Sequence, residues 1–273
     1  MTLLEAVICG LIQGLTEFLP ISSSGHLAIA HSYFPVGTEN GNLTFDLLLH
    51  LGTLIVVFAF YYKDVFSLIP SFFTMLGKLF RGKWSLASWS RQERYVLFLI
   101  VATVPMAAAL LFRERVEMLS AYPKIVGGIL ILNGAVLMLA DFMSKRVKKR
   151  DVSAFSAFGI GLFQLAAVVP GLSRSGSTIS GGLLFGLERE EAVKFSFMMS
   201  IPAILGANLL NIPDVLSTPV ASGDLGYYLI GMAAAMISGF CAMKLLVYIS
   251  ERSKFGFFAY YCIAVGTLTL VLA

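Results

Sequence analysis

Six apolar stretches, each of about 20 residues, constrain the fold of this chain more than any other feature. They occupy residues 44–62, 95–112, 124–143, 191–210, 226–249 and 256–272. A helix needs about 20 apolar residues to cross the roughly 30 Å hydrocarbon core of a bilayer. Charged residues make up 13% of the chain, against about 25% in soluble domains. The sequence therefore predicts an all-α integral membrane protein with six transmembrane helices.

Two further apolar regions are interrupted by proline and cannot cross a membrane in one piece. Residues 3–19 end at Pro20 and residues 154–169 end at Pro170, and each proline is followed by a serine- and glycine-rich tract. The apolar pieces after these tracts have about 9–12 residues, too few to span. Irregular backbone at membrane depth is tolerated only where protein or water covers it. The pattern predicts two re-entrant helical hairpins with polar tips inside the membrane.

The two halves of the chain resemble each other. The tetrapeptide at 10–13 matches the one at 161–164, and both precede a proline and a polar tip. Residues 1–150 are predicted to form a first repeat and residues 151–273 a second, each with one hairpin and three spans. Because three is odd, the halves have opposite orientation, as in the inverted repeats that build a site at the membrane midplane. Together they form one membrane domain.

Loop charges predict the orientation of the chain. Residues 63–94 carry six Lys or Arg and residues 144–153 carry five, whereas 35–43 and 211–224 carry none. Positively charged loops face the cytoplasm, so both termini are predicted to be external. Residues 66–80 are typical of an interfacial helix. The net charge of +4 belongs to these loops, and nucleic acid is not a predicted partner because no soluble basic face is visible.

The hairpin tips carry the polar residues that suit chemistry. They are Gln13, Glu17, Ser22, Ser23, Ser24 and His26 in the first tip, and Ser173, Arg174, Ser175, Ser177 and Thr178 in the second. Each serine-rich tract precedes a short helix, so two helix N-termini can face one anion, and a guanidinium can hold two phosphate oxygens. This set suits phosphoryl transfer, which depends on positioning and charge neutralisation. Inside a membrane, the substrate needs a lipid tail and a phosphate head.

Several of these residues have a structural alternative. Glu17 could pair with Arg174 only to neutralise a buried charge. Gln13 and Gln164 are expected to form hydrogen bonds between helices. The serines could simply cap the helices that follow them. His50 is expected to be structural or interfacial.

At these positions the sequence resembles the undecaprenyl-pyrophosphate phosphatase family, also known as the BacA type of bacitracin resistance protein. Residues 13–26 resemble the first motif of that family and residues 170–178 the second, and the similarity extends over essentially the whole chain. The resemblance implies an inverted-repeat fold in a bacterial plasma membrane. It also implies hydrolysis of undecaprenyl pyrophosphate to undecaprenyl phosphate and inorganic phosphate. That reaction recycles the lipid carrier of cell-wall synthesis and lowers sensitivity to bacitracin.

The resemblance further implies roles for single residues. Glu17 corresponds to the essential glutamate, Ser23 to the proposed nucleophile, His26 to the motif histidine and Arg174 to the phosphate-binding arginine. A divalent cation, Mg²⁺ or Ca²⁺, is implied as cofactor, with Glu17 as its ligand. Many members carry glutamate where this chain has Gln13. The residues predicted to bind substrate are Gln13, Ser22, Ser173, Ser175 and Thr178.

A polyprenyl-phosphate transporter or flippase is the main alternative. Inverted repeats with broken helices and a midplane site are also transporter architecture, and release of free phosphate would separate the two functions. Small residues at 127–128 and 231–235 could pack helices within one chain or between two copies in a homodimer.

Overall fold

The computed structural model describes residues 1–33, 42–146, 149–217, 224–251 and 255–272. This part of the chain is helical and contains no strand. Its α-helices are α1 Leu3–Phe18, α2 Ser23–Tyr33, α3 Asn42–Phe60, α4 Tyr62–Phe80, α5 Arg91–Thr103, α6 Arg113–Ser120, α7 Pro123–Ser144, α8 Ala154–Ala166, α9 Arg174–Leu184, α10 Arg189–Ser217, α11 Asp224–Glu251 and α12 Phe257–Leu272. Segments of 3₁₀ helix occupy Leu86–Ser88 and Val104–Phe112.

Within the described ranges, five helical segments are long and apolar enough to cross a membrane. They are Leu43–Phe60, Arg91–Phe112, Pro123–Ser144, Arg189–Pro213 and Asp224–Ser250. Each coincides with a span predicted from the sequence. The sixth predicted span corresponds to α12, which has 16 residues and is shorter than the other five. The chain is therefore a multi-pass helical membrane protein, and a total of six spans stays a prediction.

A helix, a break and a second short helix follow one another at both predicted hairpins. Helix α1 ends at Phe18, just before Pro20, because proline has no N–H to donate and disfavours helical backbone in the residue before it. Helix α8 likewise ends at Ala166, ahead of Pro170. The helices after the breaks, α2 and α9, have 11 residues each. That length is too short to cross a bilayer.

Both breaks turn the chain through left-handed backbone. Ser22 has φ 72° and Gly171 has φ 100°. A Cβ atom on Gly171 would also lie 2.8 Å from the carbonyl oxygen of Val126, so glycine is the residue that fits this turn. The Ser173 hydroxyl then accepts a hydrogen bond from the Gly176 N–H at 3.1 Å and caps α9.

Small residues let two helix pairs approach to backbone contact. Helix α7 packs on α12, where a Cβ on Gly127 would lie 2.9 Å from the Gly266 carbonyl oxygen. Helix α1 packs on α11, where a Cβ on Gly10 would collide with the Gly231 carbonyl oxygen. Gly127 and Gly231 therefore pack helices within one chain, as glycine does in other membrane bundles. Gly128 has open space around it.

A core of large side chains lies behind the first tip. Phe18, Phe195 and Phe197 are fully buried, and the rings of Phe18 and Phe197 meet edge-on with centroids 5.6 Å apart. Aromatic pairs favour this geometry. Because Phe18 directly follows Glu17, the packing fixes the last turn of α1 and with it the position of the carboxylate.

Helix α4 contains the segment 66–80 that is expected to lie in the membrane interface. Phe66 and Phe73 are exposed on it, which suits a helix that inserts one apolar face among lipids. An ion pair of 2.6 Å between Lys78 and the buried carboxylate of Glu93 joins α4 to α5.

Candidate active site

Glu17 is the centre of a buried polar cluster formed by both tips. Its Oε1 accepts a hydrogen bond from Arg174 Nη2 at 2.5 Å, and its Oε2 accepts from Ser23 Oγ at 2.8 Å and Gln13 Nε2 at 3.1 Å. The Glu17 and Arg174 side chains are 7% and 18% exposed, so water screens their attraction weakly. The acid and the guanidinium that the sequence places on different tips are in direct contact. The structural alternative also requires this pairing, so the pair alone does not assign a role.

Arg174 retains a donor that Glu17 does not use. Its Nη1 is buried and has no hydrogen-bond partner among the described residues. An unpaired buried donor costs about 1–3 kcal/mol, and more when it is charged. A guanidinium binds phosphate oxygens with two parallel N–H groups. Nη1 is therefore available to an anionic oxygen placed beside the Glu17 carboxylate.

Asn133 on α7 ties the two tips together. This fully buried residue donates from Nδ2 to the Pro20 carbonyl at 3.0 Å and accepts at Oδ1 from the Ser173 N–H at 3.0 Å. Because Ser173 directly precedes Arg174, these bonds fix the position of Arg174 relative to the first tip. Sequence reasoning missed Asn133, although a lone amide inside the apolar stretch 124–143 is itself a signal of function.

Two of the serines predicted to bind substrate cap helices. The hydroxyl of Ser22 accepts from the Gly25 N–H at 3.1 Å, and that of Ser173 accepts from the Gly176 N–H at 3.1 Å. Both serines are buried and do not line the cavity beside Glu17. Both serines shape the tips as caps, and substrate binding by them stays a prediction.

The other two predicted hydroxyls are also bonded within the protein. Ser175 Oγ donates to the Leu19 carbonyl at 3.2 Å, which is a second link between the tips. Thr178 Oγ1 donates to the Arg174 carbonyl at 2.8 Å and lies 2.6 Å from Ser196 Oγ. Both are buried away from the cavity, so they support Arg174 through its backbone and its neighbours.

A cavity of about 360 Å³ opens beside the ion pair. The first tip contributes Glu17, Ser23 and Ser24 to its lining, and the second tip contributes Arg174. Gln164 from α8 lines it as well. Gln13 is fully buried behind Glu17 and reaches the cavity only through that carboxylate. The cavity is therefore lined by an acid and hydroxyls from the first half of the chain and by a cationic side chain from the second half.

The cavity continues into an apolar groove of about 540 Å³ bordered by residues 103–110, α6 and α10. The residues that line both spaces are Met106, Val168, Ala203, Ala207 and Asn211. A polar chamber joined to an apolar groove fits a ligand with a charged head and a hydrocarbon tail.

The two histidines of interest lie in places that the sequence did not predict. His26 bonds through Nδ1 to the Ser22 carbonyl oxygen at 2.8 Å and through Nε2 to the Tyr261 hydroxyl at 2.9 Å. It does not line the cavity. His50, which was expected to be structural, does line it, and its Nε2 is 4.0 Å from Glu17 Oε2. The histidine beside the carboxylate is thus His50.

Three further cavity residues were not singled out by sequence reasoning as site residues. They are Asp46 on α3 and Asn208 and Asn211 on α10. Asp46 and His50 are four residues apart on one helix, a spacing that puts both on the same face. An acid and a histidine at that spacing inside an apolar span would have been the signal.

The implied divalent cation has oxygen ligands available next to Glu17. Gln13 Oε1 is buried and has no hydrogen-bond partner within the described ranges, while Gln13 Nε2 is bonded to Glu17. Mg²⁺ and Ca²⁺ bind carboxylate and amide oxygens, and Mg²⁺ commonly completes its shell with substrate phosphates. The described residues contain no group of three or more His, Cys, Asp or Glu that could hold a metal. The site therefore fits a cation that binds together with a phosphate.

The fold and this site define a multi-pass helical membrane protein with a buried polar centre between two broken helices. The chain belongs to the family described as bacitracin resistance protein BacA, whose sequence profile matches residues 6–268.

Named relatives match the chain over almost its full length. An undecaprenyl-diphosphatase from Methanosphaera stadtmanae is 37% identical over 279 residues, covering 99% of this chain and 98% of the relative. Another from Pelotomaculum thermopropionicum is 39% identical over 277 residues, covering 100% of this chain and 97% of the relative. A third from Bacteroides fragilis is 37% identical over 272 residues, with 98% and 97% covered.

Proposed function

We propose that this chain is an undecaprenyl-diphosphatase of a bacterial plasma membrane. It removes the terminal phosphate of undecaprenyl pyrophosphate and releases undecaprenyl phosphate and inorganic phosphate, which recycles the lipid carrier of cell-wall synthesis. One observation carries the proposal. The Ser23 hydroxyl donates to the Glu17 carboxylate at 2.8 Å, and Glu17 is paired with an arginine that has a free buried donor. A hydroxyl, a proton acceptor and an anion-binding guanidinium are the parts that phosphoryl transfer needs.

The proposed reaction begins when a phosphate oxygen binds Arg174 Nη1. That contact draws the guanidinium away from Glu17 Oε1. Because the positive charge of Arg174 is then shared between the phosphate and Glu17, the carboxylate is less strongly stabilised in its ionised form and becomes a better proton acceptor. Ser23 Oγ, or a water held in its place, attacks the terminal phosphorus and passes its proton to Glu17 Oε2. The anhydride P–O bond breaks and undecaprenyl phosphate leaves. In the serine route, a water then cleaves the phosphoserine and releases inorganic phosphate.

Glu17 is proposed as the base in preference to His26. Both ring nitrogens of His26 are engaged with Ser22 and Tyr261, outside the cavity. Glu17 and the amide oxygen of Gln13 would hold the Mg²⁺ or Ca²⁺ ion. That cation, when bound, offsets negative charge on the phosphate oxygens.

The inverted repeat and the external position of both termini are part of the proposal. The tetrapeptides at 10–13 and 161–164 support the repeat through equivalent packing. A Cβ on Gly10 would collide with a carbonyl oxygen of α11, and a Cβ on Gly161 would collide with the Ala102 carbonyl oxygen of α5. Helices α1 and α8 thus approach their partner helices in the same manner. A homodimer stays a prediction, since the small residues at 127 and 231 are used within one chain.

A phosphate-release assay tests the proposed function directly. Purified protein in detergent is expected to release inorganic phosphate from undecaprenyl pyrophosphate, to lose that activity in EDTA and to regain it with Mg²⁺ or Ca²⁺. Loss of activity in EDTA is expected because few protein ligands would hold the cation, so that a chelator removes it easily. Lipid binding or movement across a vesicle membrane without phosphate release would favour the transporter instead.

Arg174→Ala is expected to lower kcat/KM by about 10²-fold or more, because it removes the guanidinium that balances charge on the phosphate. Arg174→Lys keeps the charge and is expected to recover only part of the loss, since an ammonium lacks the planar pair of donors. Arg189 provides the matched control. It is a similarly buried arginine whose Nη2 bonds Asp141 at 2.7 Å, and it does not line the cavity. Near-normal turnover of Arg174→Ala, with Arg189→Ala unchanged, would remove Arg174 from the site.

A further inference from the structure

Gln164 is a buried amide with no hydrogen-bond partner in the part of the chain that the structure describes. It is 1% exposed, and neither its Nε2 nor its Oε1 is bonded within the described residues. The helix–helix hydrogen bond expected from the sequence is therefore not formed. Leaving both ends of a buried amide unpaired is costly, and the side chain lines the cavity that contains Arg174. These two facts point to a ligand that the amide contacts.

Its counterpart in the first repeat explains why this amide is free. Gln13 aligns with Gln164 in the matching tetrapeptides, and it donates to Glu17, four residues further on, at 3.1 Å. Four residues after Gln164 the chain has Val168, which carries no acceptor. Gln164 therefore has the same amide donor, Nε2, but no carboxylate four residues further on that could accept its hydrogen bond.

The location of Gln164 indicates which part of a lipid diphosphate it meets. Val168 and Ala207 line both the polar cavity and the apolar groove. Gln164 is in the last turn of α8, four residues before Val168. Asn208, another cavity residue, is adjacent to Ala207, and its buried Oδ1 has no partner among the described residues. Gln164, like Glu17 and Ser23, lines the cavity but not the groove. It differs from them in its closeness along the chain to Val168, which lies at the boundary where a hydrocarbon tail would leave.

We propose that Gln164 forms a second phosphate subsite, which holds the phosphate that stays on the lipid. This inference rests on the proposed function. The terminal phosphate lies at Glu17, Ser23 and Arg174, and the tail-proximal phosphate accepts a hydrogen bond from Gln164 Nε2. Asn208 Oδ1 is an acceptor and suits a water that bridges to the same phosphate. The subsite would select diphosphates and would also bind the lipid monophosphate product.

Product inhibition tests the subsite, because the two products carry different phosphates. Undecaprenyl phosphate contains the retained phosphate, and inorganic phosphate is the released one. Gln164→Leu is expected to raise the inhibition constant of undecaprenyl phosphate about tenfold or more, the scale of one hydrogen bond to a charged group. The inhibition constant of inorganic phosphate is expected to stay at the wild-type value. The melting temperature is expected to be unchanged or higher, since the substitution removes an unpaired buried amide.

Gln164→Glu and Ser180→Ala complete the design. The glutamate keeps the shape of the side chain and places negative charge at the subsite, so it is expected to raise the same inhibition constant further. Ser180 has a fully buried hydroxyl outside the cavity that is unpaired among the described residues. Its replacement is expected to change neither constant. Wild-type inhibition by undecaprenyl phosphate in both Gln164 variants would overturn the subsite alone. A lower melting temperature with equal loss for both products would assign a structural role. Absence of phosphate release by the wild type would overturn the proposed function together with the subsite.

Discussion

Replacing Glu17 with glutamine is expected to lower kcat for phosphate release by about 10³-fold or more. The amide keeps the shape of the side chain but cannot take the proton from Ser23, which donates to Oε2 at 2.8 Å. It also removes the negative charge that faces Arg174 and a carboxylate ligand for the cation. Three contributions are lost together, so this substitution is expected to be among the most damaging in the site. Single-turnover release of labelled phosphate from undecaprenyl pyrophosphate measures the loss.

Glu5→Gln is the matched control for this experiment. Glu5 is on the same helix, and its carboxylate accepts the Thr2 N–H at 2.9 Å at the exposed N-terminus. Its replacement is expected to leave turnover unchanged. If Glu17→Gln retained turnover similar to that of Glu5→Gln, the carboxylate would have a structural role only, which is to neutralise Arg174.

Ser23→Ala is expected to reduce kcat by about 10³-fold or more if the serine is the nucleophile, as removal of a covalent nucleophile does elsewhere. The hydroxyl lines the cavity and is already bonded to the proposed base, a pairing that activates serine nucleophiles. Rapid quenching after mixing with substrate labelled in the terminal phosphate is expected to trap a phosphorylated protein. In Ser23→Ala that labelled protein is expected to be absent.

Ser24→Ala is the control that distinguishes loss of the nucleophile from a general disturbance of the first tip. Ser24 also lines the cavity, but its hydroxyl lies 3.4 Å from Ser22 Oγ. Within the described part of the chain, the serine bonded to Glu17 is Ser23, so a milder effect is expected for Ser24→Ala. A Ser23→Ala variant that keeps most of its activity would rule out the covalent route and leave a water, activated by Glu17, as the attacking group.

The broken helices were predictable because their cause is local. Pro20 and Pro170 are each followed by a serine- and glycine-rich tract, and this combination marks a break without knowledge of the fold. Proline alone would not, because Pro70 and Pro202 lie inside α4 and α10. The contact between Glu17 and Arg174 was also predictable, because an unpaired charge inside a membrane is costly and needs a partner of opposite sign. Both inferences use properties of single residues or short segments.

The side chains that face the cavity were harder to predict. Whether His26 or His50 lies beside Glu17 depends on how α2 and α3 are rotated about their axes, which packing decides. The same holds for Gln164, which was expected to bond a neighbouring helix and instead faces the cavity. In an apolar helix the sequence shows little amphipathic pattern, so it does not indicate which face points inward.

Asn133 shows a different limit. An amide in an apolar span signals function, but the groups that Asn133 joins at the two tips are the backbone carbonyl of Pro20 and the backbone N–H of Ser173. Backbone groups are present at every residue, so the sequence cannot identify such partners.

The hydrogen bond between Arg174 and Glu17 joins residues 157 positions apart. At a synthesis rate of about 5–20 residues per second, Glu17 is made roughly 8–30 seconds before the arginine that neutralises it. During that interval an ionised carboxylate in hydrocarbon has no counter-ion and is costly. Stable insertion of the first hairpin is therefore a late step in biogenesis, which is completed only when the second half of the chain has entered the bilayer.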